Sequence, residues 1–142
     1  MVQMPVDVSQ IKQRLNEVLE AKAQLQKLTG KPYEKLDMNE KYAIRYHIIV
    51  LAEALGNACL HIAKVDLKLE PLSYSECFRL MDDENISNNC AKELTKLVRL
   101  RNLLTRRYWV IDDALVYNAI KNNFKAVDSF LESVQDKYAI NL

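Results

Sequence analysis

The sequence predicts an all-α fold, an up-and-down four-helix bundle with one short additional helix. Apolar residues make up 49% of the 142 residues, which excludes a disordered chain. The chain contains 2 glycines and 3 prolines, fewer turn residues than an all-β architecture needs. Apolar side chains instead recur every three or four residues, the spacing that places them on one face of a helix. At this length we expect residues 1–142 to form a single domain.

Capping signals bound the first three helices. Gly30 ends the first of them, because glycine commonly follows the last turn of a helix. Asp37 is followed by Glu40 three residues later, which is the signature of a capping box, and Ser73 with Glu76 repeats this pattern. We therefore predict helices over residues 8–28, 38–65 and 74–82.

The last two helices are predicted from caps and from one long apolar stripe. Ser87 or Asn88 can cap the fourth helix, and Asp112 can cap the fifth. In the fifth helix the stripe consists of Val116, Ile120, Phe124, Val127, Leu131 and Val134. We predict helices over residues 89–107 and 113–135.

The second helix is apolar nearly all round, which is typical of a helix buried by the bundle and by a partner. Four polar residues nevertheless follow one slanting row along it: Arg45, Glu53, Asn57 and His61. Ionisable groups on an apolar helix are unfavourable unless they are paired. The row is either a structural network in which Arg45 pairs with Glu53 or the lining of a polar cleft, and from the row alone we favour the network.

Arg101 occupies the middle of an apolar arc on the fourth helix. On a helical wheel this arc is formed by Leu94, Leu97, Val98, Leu104 and Tyr108. Arg101 either forms a buried ion pair with Glu53 or Asp112, or faces an anion-binding cleft, since its planar guanidinium suits phosphate. The opposite side of the helix carries a basic row, which we interpret as a solvated face: Lys92, Lys96, Arg99 and Arg106.

Composition also sets expectations for the compartment. The net charge of +1 argues against a general nucleic-acid coat, although it leaves room for a local basic patch. Cys59, Cys77 and Cys90 lie far apart without a C-x-x-C pair, so we expect buried, reduced thiols and no metal site. We find no run of about 18 apolar residues and no secretory signal, and so expect a cytoplasmic protein without a membrane segment. No cofactor is expected.

The stretch from Arg101 to Trp109, followed by Ile111 and Asp112, resembles the signature of HepT-type HEPN proteins. That signature reads Arg-x4-His-x-Tyr, usually with asparagine directly after the arginine. Residues 42–63 and 72–81 resemble the second and third helices of the family, so that the resemblance covers about residues 11–134. One position departs from the signature, because Arg106 stands where the family has histidine.

The resemblance implies a HEPN-like fold and a metal-independent endoribonuclease toxin that acts as a homodimer on RNA, paired with a nucleotidyltransferase antitoxin of the MNT type. It implies that Arg101 holds the scissile phosphate, with Asn102 in support, and that the missing histidine would carry the proton as the ribose 2′-hydroxyl attacks. Tyr108 matches the tyrosine to which the antitoxin can attach a nucleotide (AMPylation) in some members.

Arg106 changes what this chemistry can be. Arginine stays protonated at any ordinary pH and cannot act as the base, whereas histidine titrates near pH 6.5. We therefore expect impaired cleavage, and the alternative is a catalytically inactive HEPN homodimer that binds RNA or a nucleotidyltransferase. His47 and His61 are expected to be structural, although His61 is the better replacement if one exists.

The spacing of the two arginines also bears on how the site is assembled. Because residues five apart point about 140° apart on a helix, Arg101 and Arg106 converge only if the helix end distorts or a second copy contributes.

Overall fold

The computed structural model describes residues 7–142, which form six helices and two short 3-10 turns. The helices are α1 (Val8–Thr29), α2 (Met38–Val65), α3 (Tyr74–Asp83), α4 (Ala91–Arg106), α5 (Asp113–Lys121) and α6 (Phe124–Tyr138). The 3-10 turns, Tyr33–Lys35 and Tyr108–Val110, follow α1 and α4, respectively. The prediction of an all-α fold is confirmed for the part of the chain that the structure describes.

The centre of the bundle is α2. It packs along α1 on one side and contacts α3, α4 and α5 on others, while α6 closes the bundle against α1 and α4. Its fully buried side chains include Ile48, Leu51, Leu55 and Ile62. Burial of each such side chain stabilises the fold by about 1.5–3 kcal/mol relative to exposure, so the central helix contributes much of the hydrophobic stabilisation.

The high hydropathy of α2 follows from this central position. By length and composition alone, α2 is apolar enough to cross a membrane, because 18 of its residues have a mean hydropathy of 1.6. We did not detect this stretch in the sequence, since we looked for an unbroken run of apolar residues. Of that stretch, 56% is buried inside the bundle. A core helix passes the same test, so the composition of α2 is explained by its packing.

Three of the predicted caps are present. The Asp37 carboxylate accepts from the Glu40 backbone N–H at 2.8 Å, and the Glu40 carboxylate accepts from the Asp37 N–H in return, which completes the capping box. The Ser73 hydroxyl accepts from the Glu76 N–H at 3.1 Å. The Asp112 carboxylate accepts from the backbone N–H groups of Ala114 and Leu115, in the first turn of α5. The starts of α2, α3 and α5 are therefore confirmed.

The start of α4 differs from the prediction. Asn88 and Asn89 have φ angles of 53° and 60°, a left-handed conformation that a helix cannot include, so the helix begins at Ala91. Neither Ser87 nor Asn88 caps it. The carboxylate of Asp82, from the end of α3, accepts from the Ala91 backbone N–H at 2.9 Å instead, and the Ser87 hydroxyl donates to the same carboxylate.

The predicted fifth helix is in fact two helices. The helix ends at Lys121 and a new one begins at Phe124. Asn123, between them, is buried, and its side-chain amide donates to the Glu93 carbonyl oxygen at 2.8 Å. Asparagine favours such breaks because its side chain competes for backbone hydrogen-bond partners. The apolar stripe continues across the break, since Ile120 and Val127 are both fully buried, and periodicity alone therefore missed it.

The cysteines match the expectation. Cys59, Cys77 and Cys90 are buried free thiols. Burial raises the pKa of the Cys59 and Cys90 thiols, which keeps them protonated and unreactive.

Candidate functional site

Arg101 lines a surface groove of about 400 Å³ between α4 and the segment that leads into α3. We call this the Arg101 groove. Arg101 and Asn102 come from the middle of α4, and Arg106 comes from its last turn. The other lining residues are Leu60, Pro71, Leu72, Ser73, Tyr74, Ser75 and Val98.

Arg101 is held by neighbours on two helices while its side chain remains 27% exposed. One terminal nitrogen donates to Asn102 Oδ1 at 2.8 Å, and the other donates to Glu53 Oε2 at 3.3 Å. Arg101 therefore forms the ion pair with Glu53 that one interpretation predicted, and it also lines a groove, so that binding of an anion there stays a prediction. The predicted pairing of Arg45 with Glu53 is wrong.

The guanidinium of Arg101 keeps unused hydrogen-bonding capacity. Arginine has five N–H donors, and two are used in the bonds to Asn102 and Glu53. Its Nε is buried and has no hydrogen-bond partner among the described residues. A buried donor without a partner costs about 1–3 kcal/mol, so the contacts within the fold do not account for all of the polar groups of Arg101.

Tyr74 and Gly56 form a platform beneath Arg101 that the sequence analysis missed. The guanidinium carbon of Arg101 lies 5.7 Å from the centre of the Tyr74 ring. The Tyr74 hydroxyl donates to Asn57 Oδ1 at 3.1 Å, and burial raises the pKa of Tyr74, which keeps this donor protonated. Gly56 lets the ring approach α2, because a Cβ there would lie 2.5 Å from ring carbons. The one signal in the sequence that could have indicated this close approach was Gly56 itself, an isolated glycine in an otherwise apolar helix.

Arg106 reaches the Arg101 groove although it lies five residues further along the helix. It is the last residue of α4 and is exposed. Both side chains are long, so the roughly 140° between their Cα directions does not keep them from the walls of one groove. The helix need not distort, and no second copy is required for both cations to line it.

Tyr108 does not lie on the apolar arc of α4, where the helical wheel predicted it. The helix ends at Arg106, because Arg107 has a φ of −132° and a ψ of 43°, outside the helical region. Tyr108 therefore begins a 3-10 turn with its side chain 65% exposed, and its ring contacts Trp109 edge-on.

The predicted polar row of α2 divides into two parts. Glu53 and Asn57 contact residues of the Arg101 groove. Arg45 instead forms a two-pronged ion pair with Asp113 at 2.8 and 2.7 Å, which raises the pKa of Arg45, and it donates to the Tyr108 carbonyl oxygen at 3.4 Å. Arg45 thus ties the Tyr108 turn and the start of α5 to α2.

Neither histidine lies in the Arg101 groove. His61 accepts at Nε2 from the Asp7 backbone N–H at 3.0 Å and lines an adjacent recess. His47 lies beside Glu20 and Tyr46 at another place on the surface. His61, which the sequence favoured as a replacement for the family's histidine, therefore lies outside the groove. Within residues 7–142, no group of three or more His, Cys, Asp or Glu side chains is arranged to hold a metal ion.

Comparison with known proteins decides the family. A family model described as "Ribonuclease HepT-like" matches residues 13–134, which include all of the groove. The chain belongs to the HepT-like ribonuclease family. The resemblance noted in the sequence is thereby confirmed.

Solved structures share the fold of this HepT-like chain. The cytosolic protein of unknown function YutE from Bacillus subtilis superposes with a TM-score of 0.81 at 21% identity, covering 93% of this chain and 90% of that one. A toxin–antitoxin with AMP-PNP gives a TM-score of 0.81 at 17% identity, covering 90% and 98%. A tyrosine-to-alanine mutant of the toxin–antitoxin MntA-HpeT gives 0.78 at 17% identity with the same coverage. A search of curated proteins found no significant match.

Proposed function

We propose that this HepT-like chain is the HEPN endoribonuclease toxin of a toxin–antitoxin module and that its cleavage activity is impaired. The observation that carries the proposal is the Arg101 groove. In it the guanidinium of Arg101 lies over the Tyr74 ring and has N–H donors without a partner among the described residues. The groove lies within the segment that the family model matches. The toxin–antitoxin structures with the same fold support the module. The similarity to a protein described as cytosolic supports a cytosolic site of action.

In the proposed reaction, the ribose 2′-oxygen forms a bond to phosphorus and the bond to the 5′-oxygen breaks. One proton leaves the 2′-hydroxyl and one joins the departing oxygen, so the reaction needs a group that can accept and donate protons. The guanidinium of Arg101 would hold the phosphate and stabilise its added negative charge, with Asn102 fixing its orientation. No metal takes part in these steps.

Arg106 supplies charge but no proton transfer. It lines the groove, where it can bind the phosphate, and it stays protonated. Loss of a positioned acid–base group typically lowers the rate by a factor of about 10²–10⁴. Because of Arg106, the second candidate function is a catalytically inactive HEPN homodimer that binds RNA or a nucleotidyltransferase.

A homodimer and an MNT-type antitoxin are the proposed partners. Large apolar side chains are exposed around the Arg45–Asp113 pair, which is typical of a protein-binding surface. They belong to Tyr42, whose ring lies under the Arg45 guanidinium, to Trp109 and Val110 in the turn that Arg45 contacts, and to Leu115 in the first turn of α5. Tyr108 lies in this region and is 65% exposed, which leaves the residue accessible to an antitoxin that would transfer a nucleotide to its hydroxyl.

The test is to restore the histidine. We expect Arg106→His to cleave single-stranded RNA in the presence of EDTA at a rate about 10²–10⁴ times that of the parent. Arg106→Gln is the matched control, because it removes the arginine without adding an imidazole and should remain as slow as the parent. Adding Arg101→Ala to Arg106→His should abolish the gain. A folded Arg106→His protein that cuts no RNA would refute the catalytic assignment.

The two candidate functions differ in this assay. The impaired toxin gains cleavage with Arg106→His, whereas an inactive binding protein, whose groove has lost more than the histidine, does not. Mass spectrometry of the chain co-expressed with a nucleotidyltransferase encoded beside it tests the partner, since nucleotide addition on the peptide that contains Tyr108 is expected.

A further inference from the structure

A second groove, of about 550 Å³, lies between α3 and α4 and joins the Arg101 groove. We call it the basic groove. The two grooves share Ser73 and Ser75, at the start of α3. The remaining lining residues of the basic groove are Glu76, Arg79, Ala91, Lys92, Thr95, Lys96 and Arg99.

Positive charge is concentrated in the basic groove. Four lining residues are cationic and exposed, namely Arg79 on α3 and Lys92, Lys96 and Arg99 on α4, whereas the whole chain has a net charge of +1. Lys96 contacts the exposed carboxylate of Glu93 at 3.1 Å. Within the described residues, neither Lys92 nor Arg99 forms an ion pair.

The cations of α4 form a straight row that ends in the Arg101 groove. Lys92, Lys96, Arg99 and Arg106 are spaced by four, three and seven residues, which keeps them on one face of the helix. At about 1.5 Å per residue, the row extends roughly 20 Å. The sequence alone indicated a solvated face, but the structure adds Arg79 from α3 as an opposite wall, so that the row borders a groove.

We propose that the basic groove is a track for the backbone of single-stranded RNA and leads the strand into the Arg101 groove. This inference rests on the proposed function and extends it from the scissile phosphate to the flanking nucleotides. None of the nine lining residues is aromatic, so there is no surface on which bases would stack. Contacts through lysine, arginine and hydroxyl groups reach phosphate and sugar, and the track therefore binds RNA without sequence preference.

The geometry favours RNA over an acidic protein. Lys92, Lys96 and Arg99 follow one another at about one helical turn, roughly 5–6 Å between Cβ atoms, and Arg106 lies about two turns further on. This row of like charges matches a ligand that repeats its negative charge along a chain. The basic groove also opens into the groove that holds Arg101, where the same strand would present its scissile phosphate.

The test is the salt dependence of RNA binding by the full chain. The probe is a fluorescein-labelled single-stranded RNA of about 12 nucleotides, followed by fluorescence anisotropy. The variant is Lys92→Gln with Arg99→Gln, and glutamine keeps a helix propensity close to that of lysine and arginine. The control is Lys27→Gln with Lys125→Gln, which removes the same charge from exposed positions on α1 and α6 outside both grooves.

We expect the groove variant to lose about 1.4 units of the slope of log affinity against log salt, since each phosphate contact on a single strand contributes about 0.7. If the parent and the groove variant bind equally at 1 M salt, the variant should therefore bind roughly 25-fold more weakly than the parent at 0.1 M salt. The control should bind as the parent does. Lengthening the RNA from about 4 to about 12 nucleotides should strengthen binding to the parent more than to the groove variant.

Each contrary outcome identifies what fails. An unchanged slope in the groove variant, with binding abolished by Arg101→Ala, overturns the track but leaves the proposed function standing. A parent that binds no RNA overturns both. A loss of slope in the control equal to that in the groove variant overturns the track as well, because the effect would then come from net charge alone.

Discussion

Gly56→Ala tests the platform beneath Arg101. Whether this substitution raises or lowers the free energy of unfolding depends on the contact between Gly56 and the Tyr74 ring. Gly56 lies within α2 and is packed against the ring of Tyr74. An added Cβ would lie 2.5 Å from two ring carbons, whereas carbon atoms pack best at about 3.5–4.0 Å. The ring must therefore move away from α2, and this shifts the hydroxyl that donates to Asn57 and the face that lies beneath Arg101.

The size of the effect follows from three contributions. Overpacking of a closely packed site costs about 1–3 kcal/mol. Weakening the hydrogen bond between Tyr74 and Asn57 costs about 1 kcal/mol more. Alanine is favoured over glycine inside a helix by about 1 kcal/mol, which acts in the opposite direction. We expect Gly56→Ala to lower the free energy of unfolding by about 1–3 kcal/mol.

The assay is urea denaturation followed by circular dichroism, on Gly56→Ala, Tyr74→Ala and the double variant. When the Tyr74 ring is absent, the added methyl group has room, and Gly56→Ala should then stabilise the chain by up to about 1 kcal/mol. The substitution thus changes sign between the two backgrounds. A stabilising effect of Gly56→Ala in the parent as well would refute the contact.

Three further outcomes are expected. Glu53→Gln removes the counter-charge of Arg101 from a side chain that is 39% exposed, so the free energy of unfolding should change by less than about 1 kcal/mol while RNA affinity in anisotropy titrations rises. Asp113→Asn leaves Arg45, which is 18% exposed, without its carboxylate and should cost about 3 kcal/mol in urea denaturation. Burial lowers the pKa of His47 below its usual 6.5, so the unfolded chain binds the proton more readily. Stability should therefore fall as the pH drops below about 6.5, and His47→Gln should reduce this dependence in denaturation midpoints.

Features set by neighbouring residues were predictable from the sequence. The caps at Asp37 and Ser73 were found because donor and acceptor lie three residues apart and the chemistry is local. The cap of α4 was missed because Asp82 lies nine residues before the backbone N–H that it accepts from. The break at Asn123 was missed for a similar reason, since the buried amide depends on a carbonyl of another helix.

Features that depend on how helices face one another were predictable only as alternatives. The sequence singled out Arg101 because it interrupts an apolar arc, yet the choice between Glu53 and Asp112 as its partner depends on where α2 stands relative to α4. Arg45 was assigned the wrong carboxylate for the same reason, as Asp113 lies 68 residues away in the chain. Tyr74 escaped notice because nothing in its own sequence context places it beneath a guanidinium.

Arg106 lies at a position where the side chain can change without disturbing the fold. Arg106 is exposed at the end of α4, and the hydrophobic core contains Leu104 but no part of Arg106. Stability therefore places little constraint on this position, in contrast to Arg101, which is held by Asn102 and Glu53. Under the proposed function, a cation at position 106 extends the basic row of α4, so arginine in place of the family's histidine would bind phosphate without transferring a proton. This is the reason to measure RNA affinity separately from RNA cleavage.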